Sequence, residues 1–208
     1  LFTIIFVSNE SLIDKLIKLG VRTWLKSKTS KIQIKILDIV TDNKFKRKIK
    51  ELNLEAIDLI YQNFYINKII INIYNCNLKF NHKNHLIYSD DLFINCSLII
   101  DNRNLENIFF EKKWKSLRIR IQDDFTEGNN VSNLVIENGL IYLNYGNNNS
   151  DIKTVISLNL KDNLIFLENI KNNKKLYLPL DKNIKFKSCL IKNKLINLDL
   201  FSKVIFDN

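Results

Sequence analysis

Two histidines and a cysteine lie close together in the stretch CNLKFNHKNH, and these residue types can bind a transition metal. Five residues separate Cys76 from His82 and two separate His82 from His85, which matches no common zinc pattern. The Asn and Lys residues around them are typical of a hairpin tip. We therefore predict no metal site here.

Two pairs of adjacent acids, Asp90–Asp91 and Asp123–Asp124, could suggest hydrolase chemistry. Acid–base catalysis needs two carboxylates aimed at one substrate, whereas neighbouring residues on a strand point to opposite faces. The sequence also contains no glycine-rich phosphate loop and no nucleophile elbow, and it has only four glycines. We therefore predict that the chain is not an enzyme and uses no cofactor.

Two basic runs could hold phosphate groups: KFKRKIK (Lys44–Lys50) and KKWKSLRIR (Lys112–Arg120). The formal net charge of +10 favours an anionic partner, either a phospholipid surface or a nucleic acid. A/T-rich codons would also produce this excess of Lys, Asn and Ile, and solvated faces would explain the runs. Neither run contains a recognisable nucleic-acid motif, so nucleic acid is the less favoured partner.

The composition predicts a single domain over residues 1–208. The hydrophobic fraction of 46% is enough for a core, and no Pro- or Ser-rich linker divides the chain. Three irregularly spaced cysteines are typical of small core side chains and not of a disulfide framework. The opening LFTIIFVS is too short for a signal-peptide core, but the sequence contains no Met, so the compartment stays open.

Two helices are predicted. The first covers about residues 9–28, with Ser8 or Asn9 as its cap, and the second covers about residues 104–115 with Trp114 near its end. The first helix is amphipathic and its polar side is basic. Its apolar stripe is Leu12, Ile13, Leu16, Ile17, Val21, Trp24 and Leu25, and its basic residues are Lys15, Lys18, Arg22 and Lys26.

The rest of the chain alternates with a period of two, which predicts strands over about residues 31–100 and 117–206. The first strand after the second helix is predicted at Leu117–Ile121. Few helical crossovers separate the strands, so we expect antiparallel meanders and the α+β class. The predicted architecture is one long curved antiparallel β-sheet packed around the N-terminal amphipathic helix and a second, mid-chain helix.

One predicted strand, within Ile66–Phe80, is apolar on both faces. Ile69, Ile71 and Ile73 lie on one face, and Ile70 and Tyr74 lie on the other. A strand with only one buried face would be polar on its other side. The second face is therefore expected to meet another layer of the protein, a partner or a lipid.

The segment LIDKLIKLGVRTWLKSKTSKIQIKI resembles the start of the LmeA-like phospholipid-binding family of cyanobacteria and actinobacteria. In that family an amphipathic helix ends in a Trp-Leu-Arg-Ser-like stretch, here Trp24 to Ser27, with Lys26 where Arg is usual. Four later segments resemble the family's strands and strand-to-helix unit in the same order, from about Leu12 to Phe206. They are KIKELNLEAIDLIYQNFYINKIIINIYNCNLKF, LFINCSLIIDNRNLENIFFEKKW, NLVIENGLIYLNY and LPLDKNIKFKSCLIKNKLINLDL.

The resemblance implies lipid binding without catalysis, with a phospholipid or membrane surface as partner and a membrane-associated or cell-envelope location. On this interpretation an apolar groove holds acyl chains and basic residues at its rim bind the headgroup. The groove would contain Leu16, Val21, Trp24, Ile71, Tyr74, Phe109 and Trp114, and the rim Lys15, Lys18, Arg22 and Lys26. Two alternatives remain: a fully packed core, or an interaction subunit that docks through its basic and apolar surface onto a larger, possibly nucleic-acid-containing assembly.

Overall fold

The computed structural model describes residues 12–41, 48–61, 63–81, 85–88, 92–146, 152–178 and 184–204. Within these ranges, three α-helices and a short 3₁₀ turn accompany twelve strands. The helices are α1 (Leu12–Lys28), α2 (Asn102–Phe110) and α3 (Lys115–Phe125), with the 3₁₀ turn at Lys112–Trp114. The strands are β1 (Lys31–Thr41), β2 (Lys48–Tyr61), β3 (Phe64–Asn81), β4 (His85–Tyr88), β5 (Leu92–Asp101), β6 (Val131–Glu137), β7 (Leu140–Tyr145), β8 (Ile152–Lys161), β9 (Leu164–Asn169), β10 (Lys175–Tyr177), β11 (Ile184–Lys192) and β12 (Leu195–Val204).

The strands form two sheets, and every described pairing is antiparallel. The first sheet has seven strands in the order β1-β2-β3-β5-β12-β11, with β4 paired to β3, and the second has five in the order β10-β9-β8-β7-β6. The predicted α+β class and antiparallel pairing are confirmed. The expectation of one sheet is wrong, because strands β6 to β10 pair only among themselves in the described residues.

The strand predicted at Leu117–Ile121 is also wrong, because these residues belong to α3. Leu117, Ile119 and Ile121 alternate as in a strand, but the buried side chains are spaced as in a helix. Leu117 is half-buried, Ile121 and Phe125 are buried, and Ile119 is exposed. The spacing of four residues from Leu117 to Ile121 and on to Phe125 places one stripe on the core.

Asparagine-containing two-residue turns close three hairpins. In each, both central residues have positive φ, as a type I′ turn requires, and this turn matches the twist of the flanking strands. They are Asn138-Gly139 between β6 and β7, Asp162-Asn163 between β8 and β9, and Asn193-Lys194 between β11 and β12.

A polar network fixes the point where β5 ends and α2 begins. The Asp101 carboxylate accepts from the Asn104 backbone N–H at 2.8 Å and so caps the helix. Asn67 of β3 donates from Nδ2 to Asp101 at 2.6 Å and accepts the Asp101 backbone N–H at 2.6 Å. The helix start is therefore tied to the neighbouring strand of the first sheet.

The largest buried cluster contains residues from both sheets and from two helices. Ile100 and Ile196 come from the first sheet, and Phe109 of α2 and Ile121 of α3 belong to the same cluster. The second sheet contributes Leu134, Ile136, Ile141, Leu143, Ile156, Leu167 and Leu176, among others. Burial of this apolar surface is the main favourable free energy that holds the two sheets together.

Helix α1 packs on the inner face of the first sheet, at the β1 end. Val21 and Leu25, one turn apart, pack against a cluster of Leu37 and Ile39 from β1 and Leu54 from β2. Beside this seam the Lys18 ammonium pairs with the Asp38 carboxylate at 3.3 Å. Because β1 is the last strand on this side of the described sheet, the ion pair places the basic flank of α1 at the sheet edge.

Candidate functional site

The candidate site lies on the inner face of the seven-stranded sheet. Register places apolar side chains opposite each other across four neighbouring strands: Leu54 pairs with Ile71, Ile71 with Cys96, and Cys96 with Leu200. Paired residues in antiparallel strands point to the same face. Ile73 and Ile94 form a second pair on this face, and Ile69 and Leu98 form a third. The face is therefore continuously apolar from β2 to β12.

Helices cover the two ends of this face more fully than its middle. At one end α1 packs over Leu37, Ile39 and Leu54, and at the other end Ile100 and Ile196 lie in the main core. Between them five aliphatic side chains are only partly buried. We call this set the apolar strip: Ile71 and Ile73 of β3, Ile94 and Leu98 of β5, and Leu200 of β12.

Two cysteines on the inner face have raised thiol pKa values. Cys96 lies between Ile71 and Leu200, and burial raises the pKa of its thiol to about 12, with a smaller contribution from the Asp199 carboxylate. Burial also raises the pKa of Cys189, opposite Leu198, to about 11. Both thiols are unpaired. The raised pKa values fit the predicted role of these cysteines as small core side chains, because a thiolate is poorly solvated in apolar surroundings.

We expect the Cys96 thiol to be alkylated slowly at neutral pH, and the rate of alkylation to rise steadily as the pH is raised. In a Cys76→Ser, Cys189→Ser background, we expect the iodoacetamide rate to rise about tenfold per pH unit from pH 7 to 10, because only the thiolate reacts. Mass spectrometry of timed samples measures this rate. The same protein unfolded in urea provides the control. There the alkylation rate should stop rising with pH near the ordinary thiol pKa. A folded-state plateau below pH 10 would contradict the buried position.

The structure separates the predicted groove residues into different surroundings. Val21 and Ile71 belong to the same cluster beneath α1. Tyr74 lies on the opposite face of β3 from Ile71 and is 48% exposed, and Phe109 is buried in the main core. Trp114 is half-buried with its ring 6.2 Å from that of Phe64. The side chains of Leu16 and Trp24 lie outside the described residues.

The predicted headgroup residues lie on α1. Arg22 and Lys26 are exposed one turn apart, and Lys18 pairs with Asp38. The side chain of Lys15 lies outside the described part of the chain. Lys18, Arg22 and Lys26 thus follow one flank of the helix, next to Val21 and Leu25, which contact the inner face.

Sequence reasoning did not assign Ile94, Leu98 or Leu200 to the site. The alternation in LFINCSLII places Ile94, Cys96 and Leu98 on one face, so the sequence contains the signal for a shared face. It does not reveal that β12, about one hundred residues later, pairs with β5. Only this pairing brings Leu200 beside Cys96.

The outer face of the same sheet contains a polar cluster around Asp199. Ser97 and Ser188 donate to its two carboxylate oxygens at 2.5 and 2.6 Å, and these hydrogen bonds, with a smaller effect of Lys187, lower the pKa of Asp199. The Lys187 ammonium lies 5.3 Å from the centre of the Phe201 ring, which stacks on Phe93 at 5.5 Å. This face is therefore mixed in character, with ordered polar groups between aromatic rings.

Removing one donor should raise the Asp199 pKa. In Ser188→Ala we expect the carboxyl pKa to move up toward 3.8, because its charged form loses a hydrogen bond. The depressed pKa adds stability above about pH 4 that is lost as the pH falls through the folded-state pKa, so the variant loses part of it. Carbon-detected NMR titration measures the shift. Ser132→Ala, whose hydroxyl bonds the Asn144 carbonyl instead, should leave Asp199 unchanged.

The described residues do not bring together the other candidate groups, which are the metal ligands, the paired acids and the basic runs. They contain no group of three or more His, Cys, Asp or Glu that could hold a metal ion. His82, Asp90 and Asp91 lie outside them, as do the side chains of Cys76 and His85. Asp124 pairs with Lys174 at 2.7 Å. The basic run Lys112–Arg120 lies on the 3₁₀ turn and α3, and Lys44–Arg47 of the other run is not described.

Comparisons with known proteins leave the family resemblance untested. No family model, curated protein or solved structure matches the chain. None of the helices in the described ranges is both long and apolar enough to cross a membrane. The assignment to the LmeA-like family therefore stays a prediction.

Proposed function

We propose that the chain is a non-enzymatic phospholipid-binding protein that holds an acyl chain against the apolar strip. The observation that supports this proposal is the run of partly buried aliphatic side chains from Ile73 to Leu200, next to a helix that covers the β1 side of the same face. Ile94 and Leu98 lie four positions apart on β5, so the apolar strip extends about 14 Å along that strand.

The energetics favour a lipid tail on such a surface. Each buried methylene contributes about 0.8 kcal/mol, so partial burial of a single chain gives a substantial favourable term. The raised pKa values of Cys96 and Cys189 fit an inner face that water solvates poorly. A polar substrate would gain little from such a surface, whereas an acyl chain needs no hydrogen-bond partners.

The basic flank of α1 is the proposed headgroup contact. Arg22 and Lys26 are exposed there, and a guanidinium binds a phosphate through two parallel hydrogen bonds. Lys18 would first have to exchange its Asp38 partner for the phosphate. We therefore assign the main headgroup role to Arg22 and Lys26. The same cations would bring the chain to an anionic membrane surface.

The test fills the strip with a larger side chain. In Leu200→Trp the indole should occupy the space above β12 and lower the affinity for fluorescent phosphatidylglycerol by about tenfold, since roughly two methylenes would lose their contacts. Leu190→Trp is the matched control, because Leu190 is 64% exposed on the neighbouring strand β11. It should bind as the original chain does.

Two results would contradict lipid binding on the strip. One is an equal affinity of both tryptophan variants for the lipid, and the other is the absence of co-purifying lipid together with no binding to phosphatidylglycerol vesicles. Native mass spectrometry of the gently purified protein answers the second point. Thermal unfolding of each variant shows that the comparison is made between folded proteins.

The outer face supports a second candidate, the interaction subunit. Tyr74, Phe93 and Leu190 are each more than 40% exposed there, and Lys187 lies beside the Phe93–Phe201 stack. Aromatic rings with adjacent cations can bind bases of single-stranded nucleic acid. A salt-dependent shift of RNA or DNA that Phe93→Ala removes, without vesicle binding, would favour this candidate.

A further inference from the structure

The turn between β6 and β7 contains Asn138 followed by Gly139, and no other asparagine in the sequence precedes a glycine. Both residues are exposed, and their φ angles are 49° and 78°. Asparagine tolerates this left-handed conformation better than most residues, and glycine adopts it without steric cost. The pair therefore suits a type I′ turn, but it is also the dipeptide from which a side-chain amide is lost most readily.

The loss of the amide needs only these two residues and water. The Gly139 backbone nitrogen gives up its proton to solvent and attacks the side-chain carbonyl carbon of Asn138. The new N–Cγ bond closes a succinimide ring, and the Cγ–Nδ2 bond breaks as ammonia leaves with a proton from water. Water then opens the ring at either carbonyl and gives aspartate or isoaspartate. Glycine favours the attack because it has no Cβ to crowd its nitrogen.

The folded turn keeps the two reacting atoms apart. A residue in the left-handed region has a positive ψ as well as a positive φ. This ψ places the Gly139 nitrogen nearly opposite the Asn138 Cβ across the Cα–C bond, whereas ring closure needs both atoms on the same side. The pairing of Glu137 with Leu140 beside the turn resists the rotation of ψ. The reaction therefore requires the turn to open.

The isoaspartate product cannot close the hairpin in the same way. Its main chain passes through the former side-chain methylene, so the two-residue turn gains a backbone atom. Beyond the turn, Ile136 and Ile141 pair with each other and are 1% and 3% exposed in the main core. A Cβ placed on Gly139 would lie 3.7 Å from the Ile191 carbonyl oxygen, so the turn also lies close to β11. A longer turn thus disturbs both the hairpin and its contact with the first sheet.

We propose that Asn138 is a spontaneous modification site, at which succinimide chemistry during local opening of the β6–β7 turn produces isoaspartate and weakens the packing between the two sheets. The proposal does not depend on lipid binding, because neither Asn138 nor Gly139 belongs to the apolar strip. The reaction makes the marginal opening of one hairpin irreversible.

The other two type I′ turns provide a comparison within the chain. Asn163 and Asn193 also have positive φ, but Leu164 and Lys194 follow them. The side chain of the following residue crowds the attacking nitrogen in both turns. The three turns therefore share a backbone conformation and differ in the group that limits the chemistry.

The experiment ages the full chain at mildly alkaline pH, folded or in urea, and follows each asparagine by peptide mass spectrometry. Electron-transfer fragmentation distinguishes isoaspartate from aspartate. In urea we expect Asn138 to react about tenfold faster than Asn163 and Asn193, a difference of about 1.4 kcal/mol in activation free energy. In the folded chain Asn138 should react more slowly than in urea, because the turn must open first.

A second measurement tests the effect on packing. The aged folded chain should show an additional unfolding transition at lower urea concentration, with an amplitude equal to its isoaspartate fraction. Freshly prepared Asn138→Asp is the matched control, because it has the charge of the product with an unaltered main chain, and aspartate also accepts the left-handed conformation. It should unfold in one transition at the urea concentration of the original chain.

Three results would overturn the proposal. Loss of the Asn138 amide in urea no faster than at Asn163 and Asn193 would remove the site, and this result requires no variant to fold. Equal rates at Asn138 in the folded chain and in urea would contradict the requirement for opening. A single unfolding transition in aged protein that contains isoaspartate would contradict the effect on packing.

Discussion

Leu143→Ala should lower the free energy of unfolding by about 2–5 kcal/mol. Leu143 is 0% exposed in β7 and belongs to the cluster that contains residues of both sheets and of α2 and α3. Truncation removes the transfer free energy of the lost carbons and leaves a cavity among neighbours from several elements, which cannot all move inward together. Urea denaturation followed by circular dichroism measures the change.

The control for this variant makes the same chemical change at the surface. Leu164 of β9 is 48% exposed, so Leu164→Ala should lower the unfolding free energy by less than about 1 kcal/mol. The two values would be equal if the second sheet did not share a packed core with the helices. Neither residue belongs to the apolar strip, so a folded Leu143→Ala protein should still bind lipid at the level of the original chain.

Asn102→Ala should lower the unfolding free energy by about 2–4 kcal/mol, because it removes two hydrogen bonds to buried backbone. The Asn102 amide donates to the Leu134 carbonyl at 3.2 Å, and its oxygen accepts the Ile136 N–H at 2.6 Å. Both partners lie on β6, which pairs only with β7 in the described sheet. The amide side chain thus takes the place of a neighbouring strand along the free edge of β6.

Two further variants test whether the loss of stability comes from the two hydrogen bonds between Asn102 and β6, which we call the Asn102 bridge, or from the loss of any amide side chain. Asn133→Ala, at an exposed position of β6, should change the unfolding free energy by less than about 0.5 kcal/mol. Asn102→Asp keeps an acceptor for the Ile136 N–H but cannot donate to Leu134, so its stability at neutral pH should fall between those of the other two proteins. A loss in Asn102→Ala no larger than in Asn133→Ala would contradict the bridge.

The sequence was most informative where local chemistry determines the conformation. The Asn-Gly and Asp-Asn pairs have the positive φ values that close tight hairpins, and the strand alternation in segments such as LINLDL appears directly as facing rows. The error at Leu117–Ile121 has a physical cause. A stretch with apolar residues at both two- and four-residue spacing satisfies either period, and the neighbouring core selects the helix.

The candidate site was predicted less well because its composition depends on distant pairing. The apolar residues of β3 were recognised from sequence, but Ile71 and Tyr74 were placed in one groove although an odd separation puts them on opposite faces. Phe109 has the same residue type whether it packs a core or lines a groove. Side-chain type alone does not distinguish a core position from a groove position. Only the packing of α2 against both sheets distinguishes them.

The last described hairpin, β11–β12, completes a sheet whose other members are encoded in the first half of the chain, because β12 pairs with β5. On the ribosome, β5 therefore emerges many seconds before its partner, at about 5–20 residues per second for roughly one hundred residues. During that interval a row of unsatisfied amides and carbonyls beside Cys96 is open to other nascent chains. We therefore expect products that end before β12 to aggregate more readily than the full chain, because the open edge of β5 can pair with other chains.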